Sequence, residues 1–338
     1  MTNASSSVLS VMRILVFGAG AVGSVLGGLL ARAGHAVTLL GRARHMAAIR
    51  ARGLAIDGIW GCHCVQGITT AHAPMELMGW EFDLVLVTVK AYDTAAAIEA
   101  IRPLDHPAMR VVSVQNGYGN TQALEASLGR GRVFGARIIT GVELPEPGRV
   151  VVTVSADDIR IGPPAGEPDL MPVACELADT LRGAGIPTSA TDRYREFLWA
   201  KILYNCALNP LGALLRATYG ELAENPGTRR LIDQIIDEAF TVAGTAGIPL
   251  FWQQADEYRR HFHEELIPPT ARHYPSMLRD LERRGRTEID ALNGAVVQLA
   301  ADHGHSVPVN AMLTTMIKLR EQTRRAELTR HSGAEEGT

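Results

Sequence analysis

Short apolar runs, separated by glycine turns and amphipathic stretches, dominate the first part of the chain. Residues 12–17 predict a buried strand, and residues 24–33 predict the helix that follows it. The runs 35–40, 82–89 and 109–114 predict further strands, and residues 94–101 predict a helix between the last two. Alternating strands and helices are typical of a parallel sheet covered by helices, so we predict an α/β domain.

The second part of the chain first becomes rich in strand-forming residues and then helical. Residues 137–140, 149–154 and 158–161 predict antiparallel strands that extend one edge of the sheet. A loop, a helix through Leu181 and the run 186–189 complete this domain, with a boundary near Asp192. Beyond it, helical periodicity covers residues 194–215, 228–246, 252–263, 276–283, 288–303 and 309–325, which predicts an all-helical second domain.

A glycine motif follows the first strand at once. Gly18 permits a tight turn, Gly20 lets a pyrophosphate approach the backbone, and Gly23 lets the helix pack closely on the strand. The phosphates are expected at the helix N-terminus, against Gly18, Ala19, Gly20, Ala21, Val22 and Gly23. We therefore predict a Rossmann-type dinucleotide-binding domain at residues 12–192. The helical domain covers residues 193–327, and its predicted role as the substrate and catalytic domain depends on the polar stripe and the family resemblance described below. Residues 1–11 and 328–338 are predicted to be disordered tails.

The second strand ends where the adenosine ribose is expected. An NAD-specific site usually carries an acid there, whereas this chain has Gly41-Arg42-Ala43-Arg44. Because Arg42 can pair with a 2′-phosphate and no carboxylate is present to bind a 2′-hydroxyl, the sequence favours NADP. The alternative is that Arg42 and Arg44 simply begin a solvated helix.

One stripe of polar side chains stands out in the helical domain. Lys201, Asn205 and Asn209 lie at i, i+4 and i+8, although Pro210 makes the helical position of Asn209 less secure. Apolar residues surround the stripe, so it is predicted to border the packed interior. A lysine at such a border suits proton donation or anion binding. The alternative is a lysine whose apolar stem lies along the surface and amides that bind nearby backbone.

Further polar residues are predicted at strand and helix ends. Lys90 and Asn116 follow two strands of the sheet, at the edge where α/β domains bind ligands, although either could cap a helix. Ser276, Glu288 and Asp290 fall near helix starts, where capping alone would also explain them.

Composition narrows the function. The 338 residues, 46% of them hydrophobic and 20% charged, can form two domains with large cores. A net charge of −3 provides no basic surface for nucleic acid, so a small-molecule substrate is expected. The apolar stretch 14–31 is interrupted by glycines, which argues against a membrane span. The four cysteines suggest no disulfide framework and a cytoplasmic protein, and Cys62-His63-Cys64 lacks a second ligand pair for a metal site.

The region from about residue 12 to residue 325 resembles the ketopantoate reductase (2-dehydropantoate 2-reductase) family, within the 6-phosphogluconate dehydrogenase-like group. Six motifs in the expected order carry the resemblance: GAGAVG at 18–23, TVKAY at 88–92, QNGYGN at 115–120, LWAKILYNCALNPLGAL at 198–214, PSMLRDL at 275–281 and RTEIDALNG at 286–294. The resemblance implies NADPH-dependent reduction of 2-dehydropantoate to (R)-pantoate in pantothenate and coenzyme A biosynthesis.

The resemblance also implies roles for individual residues. Lys201 would be the proton donor, and the substrate would be bound by Asn116, Asn205, Asn209 and Ser276. The cofactor side would include Lys90, Asn116, Thr140 and Glu288. One departure is Tyr219, because some members have a substrate-binding asparagine there, and this leaves the exact 2-oxo acid open.

A charge argument supports the same mechanism. Hydride transfer to a ketone carbon creates an alkoxide, which a lysine ammonium can stabilise and protonate. Lys201 and the glycine turn lie on different predicted domains, so we expect them to meet across a cleft. Alternatives are a reductase of another branched 2-oxo acid with the same fold and a non-catalytic NADPH-binding redox sensor. A homodimer is compatible with the sequence.

Overall fold

The structure, a computed structural model, describes residues 11–165 and 167–335, with side chains to residue 330. It divides into two compact units. Among the described residues, the first contains 11–115, 120–165 and 167–194, and the second contains 116–119 and 195–335. The main boundary between the units falls between Tyr194 and Arg195. The sequence predicted it near Asp192. The predicted N-terminal tail lies outside the described residues except for Val11, which is exposed.

The first unit combines strands and helices. Its described strands are β1 (Arg13–Phe17), β2 (Ala36–Leu40), β3 (Leu54–Gly58), β4 (His63–Val65), β5 (Thr69–Ala71), β6 (Leu84–Val87), β7 (Arg110–Ser113), β8 (Val133–Glu146), β9 (Arg149–Gly162) and β10 (Thr188–Ala190). Its α-helices are α1 (Ala21–Arg32), α2 (Ala43–Arg52), α3 (Thr94–Ile101), α4 (Asn120–Leu128) and α5 (Met171–Gly183). Short 3₁₀-helices occupy Pro74–Leu77, Ala91–Asp93, Arg102–Leu104 and Pro168–Leu170.

These strands form one sheet in the order β4-β3-β9-β8-β7-β6-β1-β2-β5, with β10 pairing to β9. The run from β8 to β5 is parallel, while β9 is antiparallel to β8. Alternate residues of β1 enter two cores on opposite faces of the sheet: Ile14 and Val16 pack on one side, Leu15 and Phe17 on the other. A parallel sheet buried on both faces confirms the predicted α/β class.

The prediction that β8 and β9 form an edge of the sheet was wrong. β9 pairs in parallel with β3, and β3 continues into β4. Leu54 and Ile56 of β3 are fully buried, and a Cβ at Gly28 of α1 would lie 2.7 Å from each of their side chains. The glycine on the helix thus makes room for a strand whose short alternating pattern is a weak signal in the sequence.

In the second unit, helices are joined by loops and no strand occurs among the described residues, which confirms the prediction of an all-helical domain. It contains α6 (Tyr194–Leu215), α7 (Tyr219–Glu224), α8 (Pro226–Thr245), α9 (Ala255–His261), α10 (Ile267–Thr270), α11 (Ser276–Arg284), α12 (Asn293–Asp302) and α13 (Pro308–Glu335). A π-helical segment covers Phe262–Leu266 and a 3₁₀-helix covers Ile289–Ala291. No helix in the described residues is long and apolar enough to cross a membrane.

Two helix ends differ from the prediction. The expected helix 288–303 is broken at Leu292, which has non-helical backbone angles between the 3₁₀-helix and α12. The last helix continues to Glu335, past the predicted end at residue 325 and through residues assigned to a tail. An ion pair between Arg324 and Glu327, one turn apart, supports the helix just past its predicted end. Residues 336–338 lie outside the described part.

Candidate active site

Hydrogen bonds hold the glycine turn of the first unit to two neighbouring strand ends. The amides of Gly18 and Ala19 donate to the carbonyl oxygen of Leu40 at 3.0 and 2.7 Å, which joins the turn to the end of β2. The hydroxyl of Thr88, just after β6, donates to the carbonyl oxygen of Gly18 at 2.8 Å. The carboxyl ends of β1, β2 and β6 therefore converge on the turn, at the edge of the sheet where α/β folds bind ligands.

Each of the three glycines in the motif is required for a different steric reason. Gly18 has φ +107°, and a Cβ there would lie 2.6 Å from a Val89 methyl carbon. A Cβ at Gly23 would lie 2.5 Å from the Thr88 hydroxyl oxygen. At Gly20 the nearest atom to a Cβ would be the Gly18 carbonyl oxygen at 3.9 Å, so space is open in front of the backbone. A tight turn, close helix packing and an open approach are what the three predicted roles require.

The N-terminus of α1 has the features of an anion-binding site. No side chain caps the helix at Gly20, and its first turn contains no acid. The amides of Ala21, Val22 and Gly23 have no intrahelical acceptor, because the first turn of any α-helix lacks them. These donors and the helix dipole favour a phosphate. The open space at Gly20 would admit one, so this part of the chain fits the pyrophosphate of a dinucleotide.

Arg42 lies beside this turn. It precedes α2 as its N-cap residue and is exposed, while a Cβ at the preceding Gly41 would lie 3.0 Å from the Ala19 carbonyl oxygen. Arg42 and Arg44 thus do begin a helix, as the alternative interpretation required. However, cations are unfavourable at a helix N-terminus, and the first turn of α2 contains no acid. Two arginines at this end are therefore better explained by an anionic ligand than by the helix itself.

Two further predicted cofactor residues lie in the same unit. Lys90 is half-buried after β6 and precedes the 3₁₀-helix Ala91–Asp93 without capping it through its side chain. Thr140, on β8 opposite Ser155 of β9, has a buried hydroxyl with no hydrogen-bond partner among the described residues. A buried hydroxyl without a partner is uncommon and suits a site that a ligand completes.

In the second unit, three predicted site residues form one hydrogen-bonded chain. The Lys201 ammonium donates to Asn116 Oδ1 at 2.5 Å, and Asn116 Nδ2 donates to Glu288 Oε2 at 3.4 Å. An ammonium can only donate and an ionised carboxylate can only accept, so both bonds fix the same orientation of the Asn116 amide. Glu288 is 8% exposed and makes no side-chain cap for the 3₁₀-helix it precedes. The capping interpretation therefore fails for Glu288, and Asn116 lies too far before α4 to cap it.

The backbone around Asn116 is anchored to the same helices. Gly117 has φ +88°, and a Cβ there would lie 2.5 Å from the Ala291 carbonyl oxygen. The amide of Tyr118 donates to that oxygen at 2.8 Å, and the Tyr118 ring meets Trp199 of α6 edge to face with centroids 5.5 Å apart. Sequence reasoning found the QNGYGN motif but missed this anchoring role. The only feature of the sequence that could have indicated this role is Gly117, the glycine next to Asn116.

The amide stripe of α6 is continuous with Lys201. Asn205 is half-buried, and Asn209 is 4% exposed. The Tyr219 hydroxyl donates to Asn209 Oδ1 at 3.3 Å, and burial raises the pKa of Tyr219, which keeps this hydroxyl protonated. Tyr219 thus contacts a predicted substrate residue, which the sequence alone did not indicate.

The remaining polar residues at helix starts lie apart from this chain. Ser276 is the exposed first residue of α11 and lies outside the hydrogen-bonded set of Lys201, Asn116 and Glu288 among the described residues. Asp290 is exposed and pairs with Lys318 of α13 at 2.6 Å. In the first unit, Cys62 and Cys64 are exposed free thiols. No cluster of three potential metal ligands occurs in the described parts of the chain.

The fold and its glycine turn define a class: nicotinamide-dependent oxidoreductases that combine a dinucleotide-binding α/β domain with a helical domain. Family models place the chain more narrowly. Residues 14–166 match "Ketopantoate reductase PanE/ApbA", and residues 193–321 match its C-terminal domain. The chain belongs to the ketopantoate reductase family, which confirms the resemblance drawn from its motifs.

Individual relatives agree with this assignment. A 2-dehydropantoate 2-reductase of Aquifex aeolicus is 43% identical over 92% of this chain and 97% of its own. The crystal structure of a PanE/ApbA family ketopantoate reductase from Ralstonia eutropha JMP134 has a TM-score of 0.81 and 33% identity, covering 93% of this chain and all of that one. D-mandelate dehydrogenase with NADH and anilino(oxo)acetate has a TM-score of 0.83 over 93% of this chain and 100% of its own, but at 24% identity it shares the fold alone.

Proposed function

We propose that this protein reduces 2-dehydropantoate to (R)-pantoate with NADPH, a step of pantothenate and coenzyme A biosynthesis. The observation that carries the proposal is the chain in which Lys201 donates to Asn116 and Asn116 donates to Glu288. It supplies an ammonium held by a neutral amide beside a buried carboxylate, in a family whose relatives are named for this reaction.

The chemistry follows from the charge that develops on the substrate. Bound NADPH would supply the hydride that reduces the ketone carbon. The former carbonyl oxygen then carries negative charge, which the Lys201 ammonium stabilises and neutralises by proton transfer from Nζ. Asn116 holds Nζ through Oδ1, and Glu288 keeps the Asn116 amide in that orientation. Asn205 and Asn209 can donate to and accept from the substrate's polar groups without adding net charge.

The cofactor groups follow the same reasoning. The amides of Ala21, Val22 and Gly23 would bind the pyrophosphate in the open space before Gly20. The guanidinium of Arg42 would pair with the 2′-phosphate, which distinguishes NADPH from NADH. On the nicotinamide side we propose four residues: Lys90, Thr140, Asn116 and Glu288. That the two sets meet across a cleft stays a prediction.

A second candidate function keeps the cofactor and changes the substrate. Tyr219 is buried and its hydroxyl binds Asn209, so one predicted substrate amide has its oxygen already engaged. This favours, as the runner-up, a reductase that acts on another branched 2-oxo acid. A non-catalytic NADPH sensor is disfavoured, because a sensor needs no lysine held in a chain with a buried carboxylate.

A substrate panel tests these alternatives. We expect steady NADPH oxidation with 2-dehydropantoate and a higher kcat/KM than with 3-methyl-2-oxobutanoate or 3,3-dimethyl-2-oxobutanoate. A higher kcat/KM for either of the other two acids would favour the runner-up. NADPH binding without turnover of any 2-oxo acid would favour the sensor.

Partners and compartment follow from the same proposal. The small-molecule substrate is the partner that the activity requires, a homodimer is compatible with it, and the net charge of −3 favours no nucleic acid. We propose a cytoplasmic location, because Cys62, Cys64 and Cys175 are exposed free thiols and such thiols persist in reducing compartments.

A further inference from the structure

The helix that carries Lys201, Asn205 and Asn209 contains a proline in its interior. Pro210 has no amide hydrogen, so it cannot donate to the carbonyl oxygen of Cys206 four residues earlier. α6 nevertheless continues to Leu215. The turn left without its hydrogen bond runs from Cys206 to Pro210, so it begins just after Asn205 and contains Asn209, and these two residues carry the amides assigned to the substrate.

A side chain from another helix replaces the missing donor. Asn293, the first residue of α12, is fully buried, and its Nδ2 donates to the Cys206 carbonyl oxygen at 3.2 Å. The same Nδ2 donates to Asn310 Oδ1 of α13 at 2.9 Å. Both partners are acceptors, so the nitrogen of the Asn293 amide must face α6.

The orientation of Asn310 is fixed in turn. Its Nδ2 donates to Glu238 Oε2 of α8 at 2.8 Å and to the Ile235 carbonyl oxygen at 3.3 Å. Glu238 also accepts from the amides of Val309 and Asn310 at 2.9 Å each, at the start of α13. A carboxylate on α8 therefore orients two buried amides in succession and points the last donor at the proline turn of α6.

This orientation has a cost. Asn293 Oδ1 is buried without a hydrogen-bond partner among the described residues. Burying a polar atom unpaired is unfavourable, so a position needed only for packing would be better filled by an apolar side chain. What Asn293 provides that an apolar side chain would not is the hydrogen bond to the Cys206 carbonyl oxygen.

We propose that Asn293 is a positioning residue for the substrate amides. By donating to the Cys206 carbonyl oxygen it closes the helix turn that Pro210 leaves open, and so it fixes the turn that carries Asn209 relative to Asn205 and Lys201. The proposal rests on the proposed function, since it assumes that these two asparagines bind the 2-oxo acid.

The first test is Asn293→Leu, which keeps the approximate size and removes the donor. We expect the KM for 2-dehydropantoate to rise roughly tenfold, as for the loss of one substrate hydrogen bond. The Kd for NADPH, measured by fluorescence quenching, should stay within about twofold, because the glycine turn and Arg42 lie in the other unit.

The decisive test is rescue by a second substitution. Alanine at position 210 has the amide hydrogen that proline lacks, and it can donate to the Cys206 carbonyl oxygen as in an ordinary helix. The double variant Asn293→Leu with Pro210→Ala should recover most of the lost KM, and Pro210→Ala alone should stay near the wild-type value. A general loss of packing at position 293 would not be repaired by a backbone donor on α6.

A matched control separates positioning from stability. Asn225 caps α8 by accepting from the amides of Gly227 and Thr228, so Asn225→Ala should lower the Tm without changing the KM. If Asn293→Leu does not fold, Asn293→Ala provides the alternative, because it also removes the donor and introduces no larger side chain.

Two results would overturn the proposal. One is a lowered Tm with an unchanged KM in Asn293→Leu, or in Asn293→Ala where the first variant does not fold. The other is a raised KM that Pro210→Ala fails to restore. Absence of turnover in the wild-type enzyme with 2-dehydropantoate would instead refute the proposed substrate, and the same variants would then be measured with the best 2-oxo acid of the panel.

Discussion

Glu288 is the residue for which catalytic and capping interpretations predict different outcomes. Glu288 is 8% exposed, and its carboxylate does not cap the helix it precedes but accepts from Asn116 Nδ2 at 3.4 Å. Glu288→Gln keeps the size and an acceptor but removes the charge. A hydrogen bond to a charged group is worth about 1.5 to 3 kcal/mol and a neutral one about 0.5 to 1.5 kcal/mol, so the change weakens the hold on Asn116 by about 1 kcal/mol. If that hold is used in the transition state, kcat/KM falls roughly fivefold or more.

The assay is steady-state NADPH oxidation, with the Tm measured on the same samples. Asp290→Asn is the matched control: Asp290 lies two residues away, is exposed, and pairs with Lys318 at the surface. Such pairs are worth about 0 to 1 kcal/mol, so this variant should keep wild-type kinetics. Wild-type kcat/KM in Glu288→Gln, or an equal loss in Asp290→Asn, would refute the role of Glu288.

Three further predictions concern the first unit. Arg42→Ala should weaken NADPH by about 1.5 to 3 kcal/mol and NADH much less, and equal losses in a binding titration would contradict the 2′-phosphate contact. Gly20→Ala should weaken NADPH binding with little change in Tm, because its Cβ enters the open space before the turn. Gly23→Ala should lower the Tm, because its Cβ would lie 2.5 Å from the Thr88 hydroxyl oxygen. A lowered Tm in Gly20→Ala together with an unchanged Tm in Gly23→Ala would contradict these steric roles. Burial lowers the pKa of His45 from its usual value of 6.5, so on acidification the imidazole is protonated more readily in the unfolded chain than in the folded one. The free energy of unfolding should therefore fall as the pH drops below about 6.5. A Tm profile that is as steep in His45→Gln as in the wild type would assign that loss to other groups.

The parts of the fold that the sequence predicts have strong local periodicity. The bounds of α6, Tyr194–Leu215, match the prediction because a long amphipathic pattern outweighs one proline. β3 was missed because Leu54 and Ile56 lie in a short segment whose burial depends on distant residues, including Gly28 of α1. Its pairing with β9 joins strands far apart in sequence, which no local pattern encodes.

In the candidate site, too, local patterns could be predicted and contacts between distant segments could not. The spacing of Lys201, Asn205 and Asn209 is a local property of one helix and could be predicted. The chain from Lys201 through Asn116 to Glu288 joins three distant segments, and only the resemblance to a family suggested that they belong together. The donor from Asn293 to the proline turn had no sequence signal, since an asparagine near a helix start is most simply explained as a cap.

The measurement that tests the central claim most directly is the kcat of Lys201→Arg, compared with Lys201→Ala at saturating NADPH. Arginine keeps the positive charge but does not release a proton readily, so it separates proton donation from electrostatic stabilisation. The account predicts that both variants bind NADPH nearly as the wild type does. It also predicts that kcat falls in both toward or beyond the upper end of the about 10²- to 10⁴-fold that general acid catalysis supplies. If Lys201→Arg retains most of the wild-type kcat, Lys201 is an electrostatic anchor, and the proton comes from water or another residue.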